Sequence, residues 1–204
     1  MASLVAAGLG ACRAGDRARP DAPLPAVRVE LESLDGTLLA PLDASDAGAR
    51  AVVIVFVSST CPVANASAPA LAALALESEP RGVAFYEVYV DPALEPDEAR
   101  LHFAAHDLPG VGLLDPHQRL ASALDARATP EAFVFDATGE PLYRGRIDDL
   151  FWRPGRRRRA PTTRELGDAI EAALASHRPA VTRTEVVGCR LPIPTVPAQT
   201  SPAR

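Results

Sequence analysis

The side chains best suited to chemistry in this sequence are the thiols of three cysteines, Cys12, Cys61 and Cys189. They are too few and too widely spaced for a disulfide-rich scaffold or a closed zinc site. A thiol reacts as its thiolate, whose formation depends on the charges and N–H groups around it. The environment predicted for each cysteine therefore decides what it can do.

Cys61 is predicted to lie at the start of a helix. Pro62 follows it, and proline suits the first helical turn because its missing N–H is not needed there. Unpaired N–H groups at a helix N-terminus favour an anion and lower a thiol pKa from its usual ~8.5. The alternative is a small, inert hydrophobic side chain buried at a strand end. The Cys-Pro sequence favours the reactive thiol.

Strand and helix patterns alternate around Cys61 and predict an α/β fold with helices on both faces of a sheet. The apolar run 51–57 predicts a strand buried on both faces. Further strands are predicted at 27–31, 82–90, 111–114, 131–136 and 141–147. Helices are predicted at 62–77, 95–106, 117–124 and 164–176, the last capped by Thr162 or Thr163.

Length and composition predict one domain with a tail at each end. The chain has 204 residues, of which 48% are hydrophobic. A net charge of -5 argues against nucleic-acid binding, and no apolar run approaches the ~18 residues of a membrane span. We predict a lipoprotein-type signal and polar spacer at 1–25, the domain at 26–176, and an extended Pro-rich tail carrying Cys189 at 177–204.

Three segments carry a family resemblance. They are VIVFVSSTCPVAN at 53–65, ATPEAFVFDATGEPLYRGRIDD at 128–149 and, less generally, PTTRELGDAIEAAL at 161–174 with the later VGC. These motifs resemble the thioredoxin-like superfamily, and within it the redoxin proteins related to alkyl hydroperoxide reductase and thiol-specific antioxidant. The resemblance implies a thioredoxin-like fold, with a central mixed β-sheet flanked by helices and a redoxin-type strand-helix insertion. It also implies a thiol-dependent oxidoreductase.

The same resemblance assigns roles around the thiol. Pro130 would be a cis-proline that faces Cys61 and leaves the backbone of Thr129 free to pair with an extended substrate segment. Thr60 and Pro62 would flank the thiol on the substrate side.

Two departures from the family motifs concern the reaction. In the dithiol members a second cysteine follows after two residues, where this chain has Ala64. In the peroxidase members a Ser or Thr lies three residues before the cysteine, as Ser58 does here, but a proline lies seven before it, where Ile54 stands. Disulfide exchange and peroxide reduction both remain open. Ser58 and Arg127 are candidates to polarise a peroxide, with an ordinary surface ion pair as the alternative for Arg127.

Cys189 is the candidate to complete a reaction begun at Cys61. A thiolate that has attacked a disulfide or a peroxide needs a second thiol to resolve the product. About thirteen residues separate Ser176 from Cys189, enough to span roughly 40 Å at ~3.3 Å per residue. The alternative is an incidental cysteine in a docked tail, with an external thiol reductant completing the cycle.

The sequence therefore predicts a thiol-dependent oxidoreductase whose partner is a protein thiol or disulfide, or a hydroperoxide. The alternative, favoured by the missing second thiol, is a non-catalytic thioredoxin-fold binding module of the cell envelope. No cofactor or metal is predicted. Glu98, His102 and His106 share a helix face at ligand-like spacing, but a zinc site needs three or four well-placed ligands, so a solvated face is favoured.

The N-terminus resembles a bacterial lipoprotein signal. The apolar first twelve residues end in LGAC, and a polar segment follows. This pattern predicts the cell envelope or periplasm, with membrane contact only through a lipid on Cys12. The alternative is an Ala-rich N-terminus of a cytoplasmic protein, because no basic residue precedes the apolar run.

If Cys12 carries a lipid, the Cys12→Ser variant should leave the membrane fraction of cells, whereas the wild-type chain should stay in it. Fractionation followed by immunodetection measures this distribution. Equal, soluble distribution of both versions would rule the anchor out.

Overall fold

The computed structural model describes residues 28–43 and 48–191, and it confirms the predicted thioredoxin-like α/β fold. The strands are β1 Leu31–Ser33, β2 Leu38–Leu39, β3 Ala51–Val57, β4 Val83–Tyr89, β5 Val111–Leu114, β6 Ala128–Thr129, β7 Glu131–Asp136, β8 Pro141–Gly145, β9 Phe151–Arg153, β10 Arg156–Arg157 and β11 Cys189–Arg190. The helices are α1 Pro62–Ser78, α2 Pro96–Ala105, α3 Arg119–Ala123 and α4 Glu165–Leu174, with a 3-10 turn at Glu79–Arg81.

A seven-stranded mixed sheet forms the centre of the fold, in the order β2-β1-β5-β4-β3-β7-β8. Strand β3 pairs in parallel with β4 and antiparallel with β7. All seven residues of β3 are buried, as expected for a strand covered on both faces. The end of β3 therefore emerges from the middle of the protein, and Cys61 follows it after three residues.

The two faces of the sheet bury separate hydrophobic clusters. Helices α1 and α4 cover one face, where Leu71 and Leu166 are fully buried. The short helix α3 covers the other face through Leu120. Since α1 packs on the sheet through buried apolar side chains such as Ala68 and Leu71, its first turn is held at the end of β3.

Several local predictions need correction. The first strand lies at Leu31–Ser33, not at 27–31. Helix α4 begins at Glu165, and Arg164, not Thr162 or Thr163, occupies its N-cap position, with no side-chain hydrogen bond to the helix end. Asp149 instead binds the two threonines: the Thr162 hydroxyl donates to Oδ2 at 2.5 Å, and both backbone N–H groups donate to Oδ1.

Two predicted features concern the ends of the chain. Cys12 and the rest of 1–27 lie outside the described residues, as do 192–204. The described part of the tail, 177–191, runs in extended and irregular conformation and contributes β11. No helix within 28–43 and 48–191 has both the length and the apolar character to cross a membrane.

Glu87 is a charged residue type placed within the hydrophobic core. It lies on β4 opposite Val55 of β3, is fully buried, and neither carboxylate oxygen has a hydrogen-bond partner among the described residues. Burial raises the pKa of this carboxyl well above its ordinary value. The folded protein therefore keeps a proton here that the unfolded chain would release.

The Glu87→Gln variant should remove a pH-dependent loss of stability. Because the folded-state pKa is raised, Glu87 should favour the folded state most below about pH 4, and this contribution should be lost as the pH rises through the folded-state pKa. At neutral pH the variant should therefore be the more stable of the two. Urea unfolding across this pH range measures the difference, with exposed Glu98→Gln as the matched control. Parallel pH profiles for wild type and Glu87→Gln would contradict the assignment.

Candidate active site

Cys61 occupies the N-cap position of α1, as its sequence predicts. Its backbone is extended, with φ -87° and ψ 110°, and Pro62 begins the helix. The Cys61 N–H donates to Ser58 O at 3.1 Å, and Asn65 N–H donates to Cys61 O at 3.0 Å. The turn between β3 and α1 is thus closed by main-chain bonds, and it points the sulfur inward. None of the Cys61 surface is exposed.

The loop containing Thr129 and Pro130 faces this thiol. The peptide bond between the two residues is cis, and both are buried. The Cys61 thiol donates to Thr129 O at 3.0 Å. The fold therefore brings the loop of Thr129 and Pro130 against Cys61, as the resemblance implies, although 68 positions separate Cys61 from Thr129.

Glu131 fixes the position of this loop. Its carboxylate accepts a hydrogen bond from the Arg127 N–H at 2.7 Å through Oε2 and pairs with Arg144 at 2.7 Å through Oε1. The carboxylate is almost fully buried, where charge-assisted bonds are stronger than at the surface. Strand β6 is consequently anchored from beneath by a side chain immediately after Pro130.

Cys189 lies on β11, the strand that pairs with β6. Strand β11 pairs antiparallel with β6, which places Cys189 opposite Thr129 and Arg190 opposite Ala128. The approach is close enough that the Thr129 carbonyl leaves no room for a Cβ at Gly188. The expectation that the Thr129 backbone is free is therefore wrong for this structure, because the protein's own tail occupies that edge.

The acidities of the two thiols diverge. Burial alone would raise the pKa of Cys61, but a hydrogen bond from the Cys189 thiol and the Ala64 N–H in the first turn of α1 favour the anion, and the pKa of Cys61 lies below its ordinary value. The same bond to Cys61, with burial, raises the pKa of Cys189 to about 11. Of the two thiols, Cys61 is therefore the more acidic and Cys189 the less acidic.

A partly buried chain of hydrogen-bonded side chains supports the turn between β3 and α1. Asn65 Nδ2 donates to Ser59 O at 3.1 Å, and His102 Nε2 lies 2.9 Å from Asn65 Oδ1. Since Asn65 Oδ1 can only accept, His102 Nε2 carries the proton, and Tyr89 OH donates to Nδ1 at 2.8 Å. Burial, and then His106, lower the pKa of His102, which suits this neutral form. Sequence reasoning missed Asn65 and Tyr89, because nothing in the sequence links positions so far apart.

The other predicted residues lie outside this arrangement. Ser58 Oγ lies 3.1 Å from Thr60 Oγ1, and Thr60 and Pro62 are exposed beside the buried thiol. The candidate role of Arg127 at the thiol needs correction, because its guanidinium pairs with Asp125 at 2.7 Å. Its backbone does contribute, since Arg127 O accepts a hydrogen bond from the Leu191 N–H of the tail.

Within the described ranges there is no cluster of three or more metal-ligating side chains. The ring nitrogens of His102 lie within hydrogen-bond distance of Tyr89 and Asn65.

Comparison with known proteins places these features in a family. The AhpC/TSA family matches residues 22–140, which include Cys61, Thr129 and Pro130 but not Cys189. A search of curated proteins gave no match.

Solved structures share the fold. A hypothetical protein from Sinorhizobium meliloti 1021 is 23% identical with a TM-score of 0.70, covering 81% of this chain and 91% of that one. An uncharacterized conserved protein from Geobacillus kaustophilus is 26% identical with a TM-score of 0.70, covering 82% and 89%. A secreted disulfide oxidoreductase from Mycobacterium tuberculosis, homologous to Escherichia coli DsbE, is 17% identical with a TM-score of 0.50, covering 73% and 96%.

Removal of the thiol at position 189 should raise the pKa of Cys61. In a Cys12→Ser background, where only two thiols titrate, Cys189→Ala should raise it more than Cys189→Ser does, because serine keeps a donor of similar position. The ultraviolet absorbance of the thiolate as a function of pH measures the pKa, and Cys61→Ser identifies its step. Equal pKa values in the alanine and serine variants would show that Cys189 does not act as a donor.

Proposed function

Because the chain belongs to the AhpC/TSA family, we propose that it is a thiol-disulfide oxidoreductase in which Cys61 attacks and Cys189 resolves. Family membership supports a thiol oxidoreductase in general. The observation that carries the finer proposal is the pairing of β11 with β6. It places Cys189 opposite Thr129, whose carbonyl oxygen accepts a hydrogen bond from the Cys61 thiol at 3.0 Å.

The proposed cycle has two exchanges. The Cys61 thiolate attacks one sulfur of a substrate disulfide, forms a mixed disulfide with it and releases the other sulfur as a thiol. Cys189 then loses its proton and attacks the Cys61 sulfur, which forms the Cys61–Cys189 disulfide and releases the second substrate thiol. The substrate gains two electrons and the protein loses them, so an external dithiol must reduce the protein for another turnover.

Disulfide exchange is a better match to the site than peroxide reduction. A peroxidase needs donors that polarise the peroxide oxygen beside the thiolate. Here Ser58 Oγ is hydrogen-bonded to Thr60 Oγ1. The guanidinium groups of Arg127 and Arg146 form ion pairs with Asp125 and Glu165, respectively. None of these side chains is directed to Cys61, so no observation favours the peroxidase.

The cell envelope is the location that we propose for this activity. The LGAC sequence at 9–12 is typical of a lipoprotein signal, and disulfides persist in the oxidising compartments outside the cytosol. A protein thiol or disulfide partner fits this location. The rival function, a binding module without turnover, shares the location and differs only in the chemistry of Cys61.

Oxidised glutathione should convert the reduced protein to a monomer with an internal Cys61–Cys189 disulfide. The Cys189→Ala variant should stop at a Cys61–glutathione mixed disulfide, and Cys61→Ser should form neither product. Non-reducing peptide mapping by mass spectrometry identifies each species. If Cys61 and Cys189 both remain free thiols after treatment, the binding module is favoured. A disulfide between two chains would assign the resolving thiol to a second molecule.

The internal disulfide should also raise the thermal unfolding midpoint. It closes a loop of more than one hundred residues, for which the loss of unfolded-state entropy corresponds to about 5 kcal/mol. Calorimetry of the oxidised and reduced forms measures the increase, and Cys189→Ala should abolish it. An oxidised form that melts no higher than the reduced form would mean that the bridge strains the native structure or does not form.

A further inference from the structure

The tail segment 182–191 is hydrogen-bonded to the domain at both of its ends, to β8 at one end and to β6 at the other. At the first end, Arg144 N–H donates to Thr182 O at 3.0 Å and Thr184 N–H donates to Arg144 O at 3.1 Å. At the other end, Cys189 pairs with Thr129, and Leu191 N–H donates to Arg127 O at 3.1 Å. The segment is therefore tied to β8 at one end and to β6 at the other.

This docked segment covers Cys61. The nucleophilic sulfur has no exposed surface and faces the Thr129 carbonyl and the Cys189 thiol. The edge of β6 that could pair with an extended polypeptide is occupied by β11. An external disulfide can therefore reach Cys61 only after the segment has moved away, whereas Cys189 can reach it only when the segment is docked.

Thr184 is the side chain that fastens the segment to the domain. Its Oγ1 accepts a hydrogen bond from Arg146 N–H at 3.0 Å and lies 2.7 Å from Tyr143 OH. Tyr143 OH itself donates to Arg146 O at 2.6 Å, so the Thr184 hydroxyl donates to Tyr143. The three groups form a closed ring of bonds. Because Thr184 lies against Gly145, which has a φ of 151° and no room for a Cβ, the glycine allows this approach.

We propose that Thr184 is a positioning residue that sets the balance between the docked and released states of 182–191. The docked state presents Cys189 to Cys61, and the released state opens Cys61 and the β6 edge to a disulfide carried on an extended polypeptide. The inference rests on the proposed Cys61–Cys189 exchange and adds no new redox step to it. The tail and the substrate compete for the same edge of β6.

The competition orders the cycle. Release of the segment exposes the Cys61 thiolate, which forms the mixed disulfide with the substrate. Return of the segment displaces the substrate from the β6 edge while Cys189 attacks the Cys61 sulfur, so the substrate thiol leaves as the internal disulfide forms. Loosening the segment should therefore speed the first reaction and slow the second.

Thr184→Val removes the hydroxyl with little change of shape, and Thr182→Val is the matched control two residues away, where the threonine is exposed. The first measurement is the rate of Cys61 alkylation by iodoacetamide in the reduced full chain, at a pH where this thiol is ionised in every variant. We expect Thr184→Val to react about fivefold to tenfold faster than wild type, the factor that corresponds to one lost hydrogen bond. Thr182→Val should match wild type.

The second measurement follows oxidised glutathione in the same proteins. Thr184→Val should accumulate more Cys61–glutathione mixed disulfide and convert it to the internal disulfide about fivefold to tenfold more slowly. Opposite changes in the two rates are the signature of a positioning residue, since general destabilisation of the fold would not slow resolution alone. Gly188→Ala, which crowds the Thr129 carbonyl at the other end of the segment, should give the same pair of changes if Thr184→Val fails to fold.

Equal rates in Thr184→Val and Thr182→Val would overturn the role of Thr184. Faster alkylation with unchanged resolution would overturn the claim that this residue positions Cys189. Absence of any internal disulfide in wild type is a different result, because it would refute the proposed function itself.

Discussion

The antiparallel pairing of β6 with β11 is the interaction on which the arrangement of the site depends. Cys61 is placed by a helix and a buried strand, but Cys189 belongs to a tail that makes no other regular structure in the described part of the chain. Ordering each residue of such a segment costs ~1–2 kcal/mol of backbone entropy. The docked state therefore depends on its main-chain bonds to β6 and β8 and on the ring of bonds at Thr184.

The pairing also gives the two thiols different chemical properties. A lone cysteine at a helix N-terminus would already have a lowered pKa, but Cys61 is fully buried, and burial works against the anion. The Cys189 thiol offsets part of that effect by donating to the Cys61 sulfur, and it becomes less acidic itself. The tail thus supplies both the second thiol and part of the environment that activates the first.

The sequence predicted the parts of the site that local rules control. The β-branched run of β3 indicates a buried strand, and Pro62 indicates the start of α1. Cys61 comes directly before Pro62, so it is predicted at the N-cap position. Family resemblance supplied the loop at Thr129 and Pro130. The length of the tail showed that Cys189 could reach this region, but it could not give the register in which β11 pairs.

Most of the features that the sequence missed depend on contacts between separate segments. Asp149 binds the N–H groups of Thr162 and Thr163, which were predicted to cap a helix. The support of the active-site turn by Asn65 and the anchoring of the tail by Thr184 likewise join residues more than thirty positions apart. Such pairings follow from the packed structure and have no periodic signature.

The effective concentration of the Cys189 thiol at Cys61 tests the central claim most directly. It is the equilibrium constant for forming the internal disulfide from oxidised glutathione, measured in redox buffers with the wild-type protein. A tail held in register by β11 predicts a value far above the millimolar range that a flexible tether produces. A value in the millimolar range would contradict the account, because it would mean that Cys189 meets Cys61 only by chance encounters of a loose tail.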